Sequence, residues 1–588
     1  MSTPTLNTTL IHNIITLWRH LGKKRRSQFL LLLIMMLMTM FAEVISIGAV
    51  IPFLTALTTP ELLFNAEWFK FVVVGLGISS SKQLLLPLTM TFIAAAAFSA
   101  GMRILLLWAN SRLTVAMGVQ LRSELYTLAL YQPYEYHAAN NSSDLISMTT
   151  EKVANVIYSG VLHVLMLVSA LVMSIAVIVT LMLVNIWVAL VAFAVLGGGY
   201  VLMGFLVRQR IEKNSQIIAL NQPLAVKCMQ EGLGGIRDVI IGGSQPVFSH
   251  LYTSVVSRIQ TASIQNIFLG SLPKPVLEVI GVTLIVLLAY GLQAYGNQQQ
   301  AVLPVLGALA LGAQRLLPSL QQVYFSWSII KSSQAVLADV NQYIAQADPL
   351  RKPQPLIQPL SFQDAITLQN VSFRYAGTDS WVLRDIELRI PKGARVGFIG
   401  ETGSGKSTLV DIVMGLLSPT QGQLLVDGVA AERLGMSAWQ ANIAHVPQSI
   451  FLSDTSMTEN IAFGVPLAKI DLERVKQAAK QAHIATFIEN LPDGYQTLVG
   501  ERGVRLSGGQ RQRIGIARAL YKQASVIVFD EATSALDNET EANVMEAIES
   551  LSNNLTIIII AHRLSTLRKC DVIYNIFRGK IEKTSWRT

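Results

Sequence analysis

Val396-Gly397-Phe398-Ile399-Gly400-Glu401-Thr402-Gly403-Ser404-Gly405-Lys406-Ser407-Thr408 joins a short apolar run to a glycine-rich loop, and an apolar helical pattern follows from Leu409. Glycines in such a loop let the backbone fold tightly, so that successive N–H groups and the N-terminus of the next helix converge on one point. Strand, G-x-x-x-x-G-K-S and helix in that order form a phosphate-binding loop. Lys406 is expected to neutralise the β- and γ-phosphates of a nucleotide and Ser407 to ligate Mg²⁺. Gly400, Glu401, Thr402, Gly403, Ser404, Gly405 and Thr408 complete the expected cradle. A plain glycine-rich turn before a helix does not need the complete pattern.

Far downstream, Ser525-Val526-Ile527-Val528-Phe529 has the pattern of a buried strand and ends on Asp530-Glu531. Alone, an acidic pair closing a strand is most often a solvated strand end. With a phosphate loop upstream, the two carboxylates divide the labour: Asp530 is expected to hold Mg²⁺, usually through water, and Glu531 to polarise the attacking water as general base.

Between these stretches stands Leu506-Ser507-Gly508-Gly509-Gln510, leading into Arg511, Gln512, Arg513 and a helical stretch from Ile514 to Leu520. Its serine would cap a helix, and a hydroxyl with free N–H groups at a helix N-terminus also forms an anion site. The phosphate loop already fills that role for one nucleotide, so a second γ-phosphate site serves another. The pentapeptide resembles the signature sequence of the ATP-binding cassette (ABC) family, in which two cassettes pair head to tail and each signature closes over the partner's ATP. For Ser507, Gly508, Gly509 and Gln510 the resemblance therefore implies contact with ATP across a dimer. One cassette per chain implies a second copy of the chain, or a similar chain, as partner.

The same resemblance extends through the cassette. Tyr375 matches the aromatic residue that stacks on adenine, although a strand tyrosine would look the same. Gln448, in Val446-Pro447-Gln448, matches the glutamine that contacts Mg²⁺ and water and links to the membrane part. Asp537, in Ser534-Ala535-Leu536-Asp537, matches the loop that crosses the dimer interface. His562, after Ile557 to Ile560, matches the histidine that senses γ-phosphate. Glu501, in Val499-Gly500-Glu501-Arg502-Gly503, resembles the exporter-type segment that touches membrane helices.

Outside the cassette the composition changes. The 588 residues are 51% hydrophobic and only 14% charged, against roughly a quarter charged in an ordinary soluble domain. The apolar residues crowd the first half and thin after about Val340, which predicts a membrane part (1–340), a Pro-containing linker (341–360) and the α/β cassette (361–588). Net charge is +9, but the basic residues are scattered, so no nucleic-acid partner is expected. Cys228 and Cys570 have neither a disulfide nor a zinc spacing.

Met1 to Arg26 is not a secretory signal, because its basic cluster comes late and the apolar stretch after it is too long. Six spans are expected: Phe29 to Leu54, Leu84 to Trp108, Val161 to Val184, Ile186 to Val207, Val276 to Tyr295 and Val302 to Leu320. Lys23, Lys24, Arg25 and Arg26 precede the first, and the long polar connections carry Arg112, Arg122, Lys152, Arg208, Arg210 and Lys213. Positive-inside logic places the N-terminus and these connections in the cytoplasm. Their helical periodicity predicts spanning helices that run well past the bilayer, turning back at Asn140 to Ser143 and Gly242 to Pro246. The turns near Asn141 to Glu151 and Gly242 to Phe248 would then be coupling helices, or else ordinary helix-hairpin turns.

Six helices followed by one cassette resemble the exporter-type half transporter (type IV exporter fold) of the bacterial inner membrane, an ATPase that moves its substrate by alternating access. Lys23 to Phe53, with Glu43, together with Gln314-Arg315-Leu316-Leu317-Pro318-Ser319, resembles the bacterial lipid-linked oligosaccharide flippases (PglK-like). Arg103 and Arg315 are costly near hydrocarbon unless they face a wet cavity or a partner, and guanidinium groups bind pyrophosphate. They could equally be structural, Arg103 pairing with Glu43. A lipid or multidrug exporter is the main alternative. A peptide exporter fits less well because no cysteine peptidase domain precedes the first span, and a soluble cassette ATPase would lack the spans. Family cassettes commonly continue through C-terminal helices; after Arg578-Gly579-Lys580 the sequence runs only to Thr588, so these are not expected within it.

Overall fold

Peptide groups in hydrocarbon find no water, so apolar stretches of this length are stable there only as helices that satisfy their own hydrogen bonds. The computed structural model describes residues 10–20, 22–75, 78–184, 186–295, 302–346, 359–531, 555–561, 567–568 and 570–584. It divides into two units, Met1–Gln132 with His137–Arg351, and Pro133–Tyr136 with Lys352–Thr588.

The first unit is helical. Among the described residues, four helical stretches, Lys23–Thr58, Ser81–Leu130, Ser142–Leu183 and Ala189–Gly234, are long and apolar enough to cross a membrane. Helices Pro273–Tyr295 and Val302–Ser332 occupy the fifth and sixth expected positions. The first stretch is helical over Lys23–Gly48 and again over Val50–Thr58, with Ala49 between. Pro52 cannot donate to the Gly48 carbonyl, which accounts for the interruption. Helices Leu85–Leu130 and Ile186–Gly234 have 46 and 49 residues, roughly 70 Å each at 1.5 Å per residue. That is more than twice a hydrocarbon core of about 30 Å, so both run on beyond it as the periodicity predicts.

The first turn-back begins earlier than expected and also includes a break at Asn140 and Asn141. Helix Leu85–Leu130 ends before Pro133, and a short helix, Tyr134–Ala139, intervenes before Ser142–Ser147. Proline lacks an N–H and pushes the preceding residue out of the helical region, so Pro133 and not Asn140 to Ser143 stops the long helix. The second turn falls at the expected Gly242 to Pro246, between helices Ile236–Ile241 and Gln245–Ser271, with Gly243 at φ +60°. Buried Lys152 pairs with Asp339, and buried Lys331 pairs with Glu212 at 3.3 Å. These pairs tie together helices whose polar lengths lie outside the apolar stretches.

The second unit is α/β. Strands β1 (Ala365–Phe373), β2 (Leu383–Pro391), β4 (Gln421–Val426) and β5 (Val429–Ala430) form an antiparallel sheet in the order β2-β1-β4-β5. Strands β3 (Arg395–Ile399), β6 (Ile443–Val446), β7 (Val526–Asp530), β8 (Thr556–Ile560), β9 (Val572–Phe577) and β10 (Lys580–Thr584) form the second, in the order β10-β9-β3-β8-β7-β6. From β9 to β6 this sheet is parallel, and its central strands are continuous apolar runs because both faces are covered. Ile557, Ile559, Ile527 and Phe529 enter one core, while Ile558, Ile560, Val526 and Val528 enter the other. The two-residue period of a strand thus divides its side chains between two layers.

Candidate functional site

Parallel pairing lines up strand ends. Phe398 of β3 lies opposite Ile560 of β8, Ile560 opposite Asp530 of β7, and Phe529 opposite Val446 of β6. Gly400 and Glu531, which immediately follow their strands, and Gln448, two residues past the end of β6, therefore leave the same edge of the sheet. That edge, outside the carboxyl ends of parallel strands, is where open α/β sheets bind ligands.

The loop from Gly400 to Gly405 turns sharply there. Gly400 has φ +146°, and a Cβ on it would stand 2.3 Å from the Ile576 carbonyl oxygen. Gly405 has φ +103° and precedes helix Lys406–Val413, where a Cβ would meet Leu383 at 2.9 Å. Only glycine fits either place. Lys406 is buried, and its ammonium donates to the carbonyls of Gly400 (2.8 Å) and Glu401 (2.9 Å), folding back across the loop. Burial holds its pKa below the ordinary lysine value, while the charges of Glu531 and Asp530 act in the opposite sense. The Ser404 hydroxyl is buried with no hydrogen-bond partner among the described residues. A cradle with a buried ammonium, an unpartnered hydroxyl and a helix N-terminus fits an anion of phosphate type.

Asp530 and Glu531 face this cradle with different environments. Burial raises the Asp530 carboxyl, Glu531 raises it further, and Lys406 opposes both. Glu531 sits in left-handed backbone at φ +49°, a conformation that costs a non-glycine residue about 1 kcal/mol or more and persists where its surroundings impose it. Its N–H donates to the Ile560 carbonyl at 3.0 Å, which ties it to β8. The Gln448 side-chain amide donates to the Glu531 carboxylate at 2.8 Å. Gln448 and Glu531, distant in sequence, are thus brought together; Ser407, Asp530 and Gln448 carry oxygen donors of the kind that Mg²⁺ prefers.

Tyr375 is partly exposed, stands edge-on to Phe373 at 5.0 Å between ring centroids, and shares a hydrogen bond with the Thr408 hydroxyl at 3.2 Å. Ser507 caps helix Gly508–Lys522: its hydroxyl accepts from the Gln510 N–H at 3.2 Å, and the Gln510 side chain accepts from the Ser507 N–H at 2.8 Å. The capping role is therefore real. Asp537 and His562 lie outside the described residues. Glu501 begins a 3-10 turn, Glu501–Gly503, after buried Val499.

In the membrane unit, Glu43, Arg103 and Arg315 come together. The Glu43 carboxylate is only 1% exposed; it receives Arg315 Nε at 3.2 Å, faces Arg103 Nε at 3.9 Å and accepts from the Ser99 hydroxyl. Pro318, inside the helix, cannot bond back to Gln314, and the Ser319 hydroxyl donates to the Arg315 carbonyl at 3.0 Å. The pairing of Arg103 with Glu43 is the structural alternative weighed from sequence, now with Arg315 joining it. One carboxylate against two guanidinium groups leaves the cluster with a net charge of +1. Both arginine side chains remain about a third exposed.

Ser99 and Asp411 were not anticipated. Ser99 precedes Arg103 by one helical turn, the spacing that places both on one face. Asp411, in the helix after the phosphate loop, is raised to about 6 by burial and by the charge of Asp530. Between its unfolded value of 3.8 and about 6 the folded state holds the extra proton, so stability falls as pH rises through that window and stays low above it. Asp411→Asn removes this penalty. In EDTA it is expected to stabilise the protein by about 1 kcal/mol at pH 8, allowing for solvent screening of a partly exposed group. Thermal unfolding midpoints should show that gain shrinking as pH falls from 7 towards 4.

Residues 383–534 match the family model described as ABC transporter, and residues 28–302 match the ABC transporter transmembrane region. An ATP-dependent lipid A-core flippase of Cupriavidus metallidurans is 30% identical over 478 residues, covering 80% of this chain and 79% of the relative. The heterocyst differentiation ATP-binding protein HepA of a Nostoc species is 29% identical over 553 residues, 92% of this chain and 88% of that one. A bacterial Atm1-family ABC exporter solved with ATP bound shares the fold, with a TM-score of 0.77 over 95% of each chain at 23% identity. The chain belongs to the ABC transporter family, as an ATP-hydrolysing membrane translocase with an exporter-type helical domain fused to its nucleotide-binding domain.

Proposed function

We propose that two copies of this chain form a homodimeric exporter of the bacterial inner membrane that uses Mg²⁺ and ATP to flip an anionic, lipid-linked substrate of the polyprenyl-pyrophosphate oligosaccharide type. The observation that carries the substrate class is the buried Glu43 with Arg103 and Arg315. Hydrocarbon does not tolerate a net cation without a function or a partner, and two partly exposed guanidinium groups on one buried carboxylate keep donors for a passing phosphate. Glu43 holds the two side chains close together. Relatives named as lipid A-core flippases support a lipidic substrate.

In the cassette, the backbone N–H groups of Gly403 to Lys406 and the Lys406 ammonium receive the β- and γ-phosphates, and Tyr375 offers its ring to adenine. Ser407, Asp530 and Gln448 are the Mg²⁺ donors; the ion, when bound, neutralises phosphate charge. Glu531 accepts the proton of the attacking water, and the Gln448 amide orients its carboxylate. Ser507, Gly508, Gly509 and Gln510 close over the nucleotide of the second copy, with Asp537 at that interface and His562 on the γ-phosphate. Closing this sandwich turns the membrane cavity outward.

Two measurements test the proposal. Glu531→Gln should bind ATP normally but hydrolyse it about 10²-fold or more slowly, the usual scale of general-base catalysis, and trap a closed dimer visible by cross-linking. Hydrolysis at the wild-type rate would remove Glu531 as the base. Arg315→Gln should abolish stimulation of ATPase activity by polyprenyl-pyrophosphate glycans in nanodiscs with basal turnover retained, while Arg315→Lys keeps part of it. Equal stimulation of the wild-type protein by amphipathic drugs would favour a multidrug exporter instead.

A further inference from the structure

A groove of about 390 Å³ runs between helices Lys23–Gly48 and Leu85–Leu130, within the roughly 300–1,000 Å³ of small-molecule sites. Gln28, Leu31, Leu32 and Met35 line it from the first helix, and Trp108, Ala109, Arg112, Leu113 and Ala116 from the second. Two contacts fix these helices antiparallel: Arg25 donates to Gln120 at 3.1 Å, and Glu43 meets Ser99 and Arg103. Arg112 lies between them, two turns from Gln120 and one turn beyond the expected end of the apolar stretch at Trp108. Ala109 and Ala116 leave the space, because neither carries a side chain long enough to fill it.

Arg112 is unusual in this setting. Its guanidinium lies over the Trp108 ring, 5.4 Å from the centroid. Among the described residues the ion pairs of this unit join Glu43 to Arg103 and Arg315, Lys152 to Asp339, Lys227 to Glu231 and Lys331 to Glu212. Arg112 is in none of them. An unpaired guanidinium at the cytoplasmic edge of the hydrocarbon, above an apolar floor and two turns short of the level of Arg25, has the charge and shape of a phosphate-headgroup site with an acyl-chain channel beneath it.

We propose that this groove holds one anionic phospholipid of the cytoplasmic leaflet, its phosphate on Arg112 with the headgroup extending towards Gln28, and the first part of one acyl chain running inward past Met35 and Trp108. This site is separate from the Glu43 cluster, since Arg112 and Arg103 stand nine residues apart on their helix, and it does not depend on which substrate is flipped.

Quenching of tryptophan fluorescence by brominated lipids tests this on the full chain in nanodiscs. Trp108 is one of eight tryptophans, so the Trp108→Phe protein supplies the background. Brominated phosphatidylglycerol should quench the Trp108 component at about fivefold lower mole fraction than brominated phosphatidylcholine, the advantage of one basic residue near an anionic headgroup. Arg112→Gln should abolish that preference, Arg112→Lys should retain most of it, and Ala116→Leu should fill the groove and weaken quenching by both lipids. Basal ATPase activity and gel-filtration profile, retained in every variant, report folding. Equal quenching by the two lipids in the wild-type protein, or a preference that survives Arg112→Gln, overturns the proposal. So does a Trp108 component that neither lipid quenches, which would mean that a second copy of the chain covers the groove.

Discussion

The parallel register of β3, β8, β7 and β6 is the constraint on which the cassette depends. Pairing Phe398 with Ile560, Ile560 with Asp530 and Phe529 with Val446 sets four strand ends at one edge. A parallel sheet needs both faces covered, and the alternating residues of β7 and β8 supply two separate cores for that purpose. A slip of one residue in β7 would exchange those faces and move Glu531 away from Gln448. Hydrophobic packing several residues from the chemistry therefore sets the 2.8 Å contact between them.

The two units handle buried charge by the same physical rule. In the cassette, Lys406 is buried and bonded to two carbonyls of its own loop, with Asp530 and Glu531 as its charged neighbours. In the membrane unit, Glu43 is buried and bonded to Ser99 and two arginines. Breaking such a pair by deleting one partner costs about 3–5 kcal/mol, because an uncompensated charge remains. Lys406 has carbonyl partners that a phosphate can replace, and the arginines have exposed faces that an anion can reach. Each cluster thus has internal partners for its buried charge and keeps groups that can bind an anion.

Much of this was legible from residues alone. The glycines around Lys406, the acidic pair after an apolar strand and the apolar stretches of membrane length each carry their physics in local order. The first turn-back was read only from the polar cluster Asn140 to Ser143, which does break the chain between two short helices, and the reading left out Pro133, whose missing N–H ends the long helix earlier. Ser99 and Asp411 were invisible for another reason: a serine in a span and an aspartate in a helix carry no signal until a partner from elsewhere arrives. For Ser507 the structure shows the cap that the residue type predicts, and its contact with a second nucleotide needs a second chain.

Sequence by itself determined the elements and the chemistry each one carries: a phosphate loop, a carboxylate pair, a signature helix and a series of apolar helices with basic flanks. These follow from backbone stereochemistry and from hydrophobic period, which act over a few residues. Tertiary structure alone decided which groups meet. Gln448 reaches Glu531, Arg315 joins Arg103 on Glu43, and Trp108 and Arg112 line a groove with Leu31 and Met35, because strand register and helix packing bring together residues from distant parts of the chain. Distance along a polypeptide says nothing about distance in space until the cores have closed.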